Sequence, residues 1–202
     1  PFAQFLEVAA ACNGEQVNIA NIGRECGTAS KTIKEYYQIL EDTFLAFKLP
    51  AWHQSTRKRL STHPRYYLFD TGVTNALSFN LDTDLDPITR GRRFEQLVIL
   101  QIAAAADYAR KGWKFCYWRT VHGAEVDLLI VQGQRILAAV EIKTKRQIHN
   151  KDLSGSFSFL DEYPDVPCYL LTDQVLRPRL VEDKITILDW KEFILDILPA
   201  LR

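Results

Sequence analysis

Apolar residues at Phe2, Phe5, Leu6, Ala9 and Ala10 recur three or four positions apart and Gly14 follows as a stop, so residues 2–12 are predicted as an amphipathic helix. Ile19, Ile22 and Cys26 place an apolar stripe on a second, short helix. Gly27 supplies a turn, and Ile33, Tyr36, Tyr37, Leu40 and Phe44 then mark a third helix that starts near Ser30, a residue type suited to an N-cap. Helix, Gly-containing turn and helix form a helix-turn-helix pattern. Phe44 to Leu49 with Ala51 and Trp52 reads as one strand and Arg65 to Phe69 as another, which turns the pattern into a winged helix-turn-helix.

Further along, after Asp70-Thr71-Gly72, a polar, acidic stretch from Asn80 to Asp86 reads as a loop, and Gly91 opens a long helix to about Ala109. Lys114 to Trp118, Glu125 to Val131 and Arg135 to Lys143 read as three strands, the last two joined by the turn Gln132-Gly133-Gln134. A helix from about Asn150 to Tyr163 and a strand from Val166 to Leu171 follow. Helices and strands alternate, so the fold class is α/β, with domains expected at 1–70 and 71–202.

Composition removes several classes. The 202 residues are 47% hydrophobic and 25% charged, inside the range of chains that fold around a core. Lys plus Arg equals Asp plus Glu at 25 each, so no global field steers the protein onto nucleic acid or an anionic membrane, and any basic surface must be local. The four cysteines form no CxxC pair and are expected to be reduced thiols in a cytoplasmic protein. Leu97 to Ala106 is about half the roughly 20 apolar residues that a membrane-spanning helix needs. The start lacks the basic and apolar regions of a signal peptide, and the chain holds no Met, which suggests a piece of a longer protein.

Basic residues gather locally in three places. Between the two wing strands, Arg57, Lys58 and Arg59 sit in a segment without an acid and could lie on DNA phosphates. On the presumed recognition helix, Lys31, Lys34 and Glu35 nearly cancel even before Glu41 and Asp42 are counted, and the same pattern fits a protein contact or a spacer. After the third strand, Lys145, Arg146 and Lys151 with His149 could continue a phosphate track, or simply mark a solvated helix entry. Trp113, Trp118 and Trp190 fit core positions better than base-stacking platforms. His122 lies in a loop before the strand acids.

The acids carry more information. Glu95 has Val98, Ile99 and Ile102 on its stripe, so its carboxylate faces an apolar side and needs a partner, either Arg92 three residues back or a metal or lysine from another element. Alternation puts Asp127 on one face of its strand and Glu141 with Lys143 on one face of the next. A three-residue loop would pair Asp127 with Ala139 and leave Glu141 as its diagonal neighbour, about 7 to 8 Å away, whereas a two-residue loop would separate them. Two carboxylates can hold Mg²⁺ or Mn²⁺, and Lys143 beside them can neutralise charge on a phosphate. Acid-x-Lys is common on solvated edges, but Ile136 to Val140 is apolar on both faces and reads as a buried central strand, where charge is costly without a use.

This order, a helix with Glu95, a strand, a strand with Asp127, a strand with Glu141-Ile142-Lys143, a helix and a strand, resembles the PD-(D/E)XK nuclease superfamily, whose restriction-endonuclease-like core is αβββαβ. The whole chain resembles the C-terminal part of bacterial and archaeal AAA-type ATPases, a winged helix followed by a nuclease-like domain of uncharacterised function. The matching stretches are Tyr36 to Thr43, Tyr67 to Val73, Gly91-Arg92-Arg93-Phe94-Glu95, Glu125-Val126-Asp127 and Glu141-Ile142-Lys143. The resemblance implies Glu95, Asp127 and Glu141 as metal-binding acids, Lys143 as the catalytic lysine, Mg²⁺ or Mn²⁺ as cofactor and DNA as substrate. It also implies an ATPase module before Pro1; no GxxxxGK[ST] run is present, so these residues are not expected to bind ATP through a P-loop. One departure is that no Pro precedes Asp127. A module that binds DNA or protein without turnover, and a purely structural α/β domain, are the competing readings.

Overall fold

A computed structural model describes residues 1–52, 63–145, 147–174 and 177–201, and it is an α/β chain of two compact units. The first unit holds Pro1–Pro50 and the described residues from His63 to Leu100; the second holds Ala51, Trp52 and the described residues from Gln101 onward.

In the first unit, α1 (Phe2–Ala11) buries Phe5, Ala9 and Ala10. Asn18 starts α2 (Ile19–Glu25) by accepting the N–H groups of Ala20 and Asn21, each at 3.1 Å. Gly27 takes a left-handed φ of +59° in the turn that follows. Helix α3 (Ser30–Asp42) then buries Ile33, Tyr37 and Leu40 in the same core as Phe5 and Ile22. Ser30 is the first helical residue, not the cap: Ala29 holds the N-cap position and no side chain closes it. Strands β1 (Ala46–Leu49) and β2 (Arg65–Leu68) pair antiparallel, Ala46 opposite Leu68, and form a small hairpin. The wing residues Arg57, Lys58 and Arg59 lie outside the described residues.

Two helical starts differ from expectation because side-chain caps outweigh composition. Asp70 accepts the Val73 N–H at 2.8 Å and opens α4 (Thr71–Leu77) in a stretch to which the sequence pattern assigns no element. Asp86 does the same for α5 (Pro87–Tyr108), accepting from the N–H groups of Ile88 and Thr89 with Pro87 in the first turn, so the helix begins four residues before Gly91. Its first half is tied into the unit by a fully buried Gln96. That amide donates to the Leu68 carbonyl at 2.7 Å and the Thr74 hydroxyl at 2.8 Å and accepts from Asn13, whose own side-chain oxygen takes the Leu68 N–H. No polar atom of that group is left to the apolar interior unpaired, which is the condition for burying it.

The second unit is a mixed six-stranded sheet in the order β3-β4-β5-β6-β8-β7. β3 (Lys114–Arg119), β4 (Glu125–Gln132) and β5 (Arg135–Ile142) form an antiparallel meander; a 3₁₀ turn (Asn150–Leu153) and α6 (Ser154–Glu162) cross over to β6 (Cys168–Thr172), parallel to β5. β7 (Arg179–Val181) and β8 (Ile185–Asp189) extend the sheet beyond the elements the pattern predicted, with β8 parallel to β6. Trp118, Val126, Leu129, Phe159, Leu170 and Ile187 join sheet and helix in one core. β4 and β5 are buried along almost their whole length, which explains their near-continuous apolar runs. The four cysteines carry free thiols, and no described helix is long and apolar enough to cross a membrane.

Candidate functional site

The register of β4 on β5 brings the strand acids together by a route the loop length does not disclose. The connection is two residues, with Gln132 opposite Arg135 and Gly133 at φ +63°. That loop alone would separate Asp127 from Glu141, as expected from the sequence. A bulge intervenes: Val131 faces Ile136 but Ile130 faces Ala138, so Leu137 is an extra residue on β5. One inserted residue flips the faces that meet, and beyond it Leu128 faces Val140, which carries Asp127 to the level of Glu141. The expected pairing of Asp127 with Ala139 is thereby replaced by a closer one.

Asp127 and Glu141 are 3% and 6% exposed. The Ile142 N–H donates to Asp127 Oδ2 at 2.9 Å, so the end of β5 itself orients that carboxylate. Lys143 projects back over both acids, its Nζ 2.5 Å from Glu141 Oε1 and 3.9 Å from Asp127 Oδ2. Its own N–H donates to the Leu171 carbonyl at 3.0 Å, which anchors the base of the side chain on β6. The cluster therefore stands at the carboxyl ends of the parallel strands β5 and β6, the edge at which open α/β sheets bind ligands.

Glu141 and Lys143 line a polar cleft of about 470 Å³ together with Arg119, Glu125, Lys145, Lys151, Asp152 and Gly155. Arg119 and Glu125 are partners in the β3–β4 ladder and form an ion pair at 3.1 Å. Lys145 pairs with Asp152, which also accepts the His149 N–H at 3.1 Å. Burial works to raise the Asp152 carboxyl, but the Lys145 ammonium and the His149 N–H outweigh it and hold it below its ordinary range. α6 abuts β4 so closely that a Cβ at Gly155 would overlap the Glu125 carbonyl. Of the basic track read from the sequence, Lys145 and Lys151 open on this cleft, and Arg146 lies outside the described residues. Arg119 was not singled out by sequence reasoning; its signal was the facing Glu125 across a short turn.

Glu95 belongs to the first unit, and its carboxylate is engaged there. It accepts from the Tyr67 hydroxyl at 2.6 Å and lies 3.6 Å from the buried Arg65 guanidinium. Arg92, the partner suggested by spacing, pairs instead with Glu15 at 2.7 Å. Lys31 and Lys34 are exposed on α3, and His122 is exposed in its loop. Trp113 and Trp118 are buried and Trp190 half-buried.

Among the described residues, no group of three carboxylates, imidazoles or thiols gathers to hold a metal. Asp127 and Glu141 alone offer two hard oxygen donors on adjacent strands, which fits an ion such as Mg²⁺ that keeps several waters and takes one or two carboxylates. A larger cavity of about 680 Å³ opens at the other end of β5, between Trp52, Ile136, Leu137, Tyr163 and Val166; the acid and lysine pair is not part of it.

Residues 90–193 match the Domain of unknown function (DUF4143), which is 104 of the 202 residues, and residues 1–85 match the Domain of unknown function (DUF8612). Among curated proteins, the chain is similar to uncharacterized protein Rv2008c of Mycobacterium tuberculosis and uncharacterized protein Mb2031c of Mycobacterium bovis. Each is 28% identical over 121 residues, covering 58% of this chain and 26% of the relative. The chain spans about a quarter of the length of these curated relatives. No solved structure matches it.

Proposed function

Because the chain belongs to the DUF4143 family, whose description carries no activity, we propose a function from its own residues: a PD-(D/E)XK-like domain that hydrolyses DNA phosphodiesters with Mg²⁺ or Mn²⁺, serving a larger AAA-type ATPase. The observation that carries this reading is the meeting of Asp127, Glu141 and Lys143 at one sheet edge, two buried carboxylates under one lysine. The order of α5, β3, β4, β5, α6 and β6 supports it, since it is the order of an αβββαβ core.

Asp127 and Glu141 would hold the ion, which supplies when bound a Lewis acid for the phosphoryl oxygen and a lowered water pKa. The Ile142 N–H keeps Asp127 turned toward its neighbour on β5. Lys143, anchored on β6 and one-third exposed, can swing from the acids to an incoming phosphate and neutralise charge that grows on its oxygens. Glu95 is not needed for these roles. The winged helix would contact DNA through Lys31 and Lys34 on α3 and through the wing residues Arg57, Lys58 and Arg59.

A second reading, a DNA- or protein-binding module without turnover, is favoured by one observation. Lys143 closes over both acids, and no third ligand gathers with them among the described residues. Incubation of the chain with supercoiled plasmid and with single-stranded DNA, in Mg²⁺, Mn²⁺ or EDTA, separates the two. Metal-dependent cleavage that Asp127→Asn abolishes supports the nuclease; binding without cleavage in any metal supports the module.

A further inference from the structure

Two ion pairs are among the residues that line the cleft. Four cations, Arg119, Lys143, Lys145 and Lys151, face it against three carboxylates, Glu125, Glu141 and Asp152. Each of two outer cations is held by an outer acid: Arg119 by Glu125, Lys145 by Asp152. The partners of the second pair differ in freedom. Asp152 is nine-tenths buried and fixed by the His149 N–H, whereas the Lys145 side chain is half exposed on a flexible stem. Lys145 is thus the member that can move. Glu125 is fixed in another way, as the first residue of β4 with its carbonyl against α6.

We propose that Glu125 and Asp152 act as stand-ins for phosphate, holding Arg119 and Lys145 at the cleft until the phosphodiesters of a nucleic-acid strand take over those cations. The inference deepens the proposed function by naming what flanks the Lys143 end, and it rests on that reading for the identity of the strand. Near-balance of charge along the cleft keeps its pull on indiscriminate polyanions low. A strand presents phosphates on either side of the one beneath Lys143, and two charge-assisted pairs exchange for two others.

The test uses the whole 202-residue chain and fluorescence anisotropy of labelled octathymidylate in EDTA, where metal-dependent cleavage does not occur. Glu125→Gln and Asp152→Asn should each bind the strand tighter, by roughly two- to fivefold, the range of a partly exposed ion pair. Arg119→Ala and Lys145→Ala should bind weaker and lower the salt slope by about 0.7 for each phosphate that no longer meets a cation. Inorganic phosphate at millimolar concentration should compete poorly. Circular dichroism melting monitors folding, and Glu125→Gln, which leaves the contact of Asp152 with the His149 N–H in place, keeps the test valid if Asp152→Asn loosens the turn before α6. Acid variants that bind no tighter than wild type, or cation variants that bind equally well, overturn the proposal; phosphate that displaces the strand efficiently overturns its nucleic-acid part. A wild type that shows this binding pattern yet cleaves nothing in Mg²⁺ or Mn²⁺ removes the nuclease reading and leaves the stand-ins in place.

Discussion

Replacing Lys143 by Met should destabilise the protein without metal and make metal a stronger stabiliser than it is for the wild type. Lys143 is the cation seen over Asp127 and Glu141, at 3.9 and 2.5 Å. Breaking a buried pair by deleting one partner costs about 3 to 5 kcal/mol, because the remaining charge is stranded. Lys143 is 32% exposed and water can reach its end of the cluster, so a cost of about 2 kcal/mol is expected. For a chain of this length that lowers Tm by about 4 to 8 °C. In wild type, an ion must first displace the ammonium; in Lys143→Met it meets the two acids without that ammonium between them. Thermal melts in EDTA and in a Mn²⁺ series read both effects, and a free ion at a hundred times Kd adds about 2.7 kcal/mol. Lys184→Met, an exposed change in the turn between β7 and β8, serves as control. A Lys143→Met protein that melts with wild type in EDTA, or gains no more from Mn²⁺, would refute the view that the lysine neutralises a metal-competent acid pair.

Gly155→Ala should cost about 1 to 3 kcal/mol in urea denaturation, since its methyl would meet the Glu125 backbone and push α6 from β4. Phe44→Gly and Phe79→Gly should each stabilise by about 0.5 to 1 kcal/mol: both phenylalanines take φ of +58° at helix ends and are 87% and 77% exposed, so little burial is lost. A lower urea midpoint in either variant contradicts that. Asn13→Ala should cost about 1 to 3 kcal/mol for each buried group it orphans, the Leu68 N–H first, and hydrogen exchange at Leu68 should quicken. Asp152 titrates below its ordinary value, so the stability it adds is present above about pH 4 and lost as pH falls through its lowered pKa. Asp152→Asn should flatten that acid limb of the pH–stability profile, and an unchanged limb contradicts the sign.

Periodicity reached most of the elements because each has a buried face of the right spacing. Ile33, Tyr37 and Leu40 on α3 and the buried runs of β4 and β5 are examples. It missed α4 and the first turn of α5, where Asp70 and Asp86 cap a helix that composition alone does not mark. β7 escaped because it is three residues long and mostly exposed, whereas β8 does carry a strand pattern in Ile185, Ile187 and Leu188. The acid pair was legible by face, whereas the bulge that aligns it was not: Leu137 lies in a run that is apolar on both sides, so a slip of one leaves no trace in the pattern. For Glu95, its position on an apolar stripe signalled a partner. The partners, Tyr67 and Arg65, come from β2 about thirty residues away, beyond what helical spacing can reach.

Isothermal titration of Mn²⁺ into wild type, Asp127→Asn, Glu141→Gln and Lys143→Met, followed by plasmid cleavage on the same samples, bears most directly on the role of the sheet edge. Wild type should bind the ion and cleave only in its presence, and both acid variants should lose the two together. Lys143→Met should keep the ion and lose cleavage by about 10² to 10³-fold, the range for deleting one charge-stabilising donor. Metal binding or cleavage that survives in both Asp127→Asn and Glu141→Gln would contradict the assignment of this acid pair as the metal site.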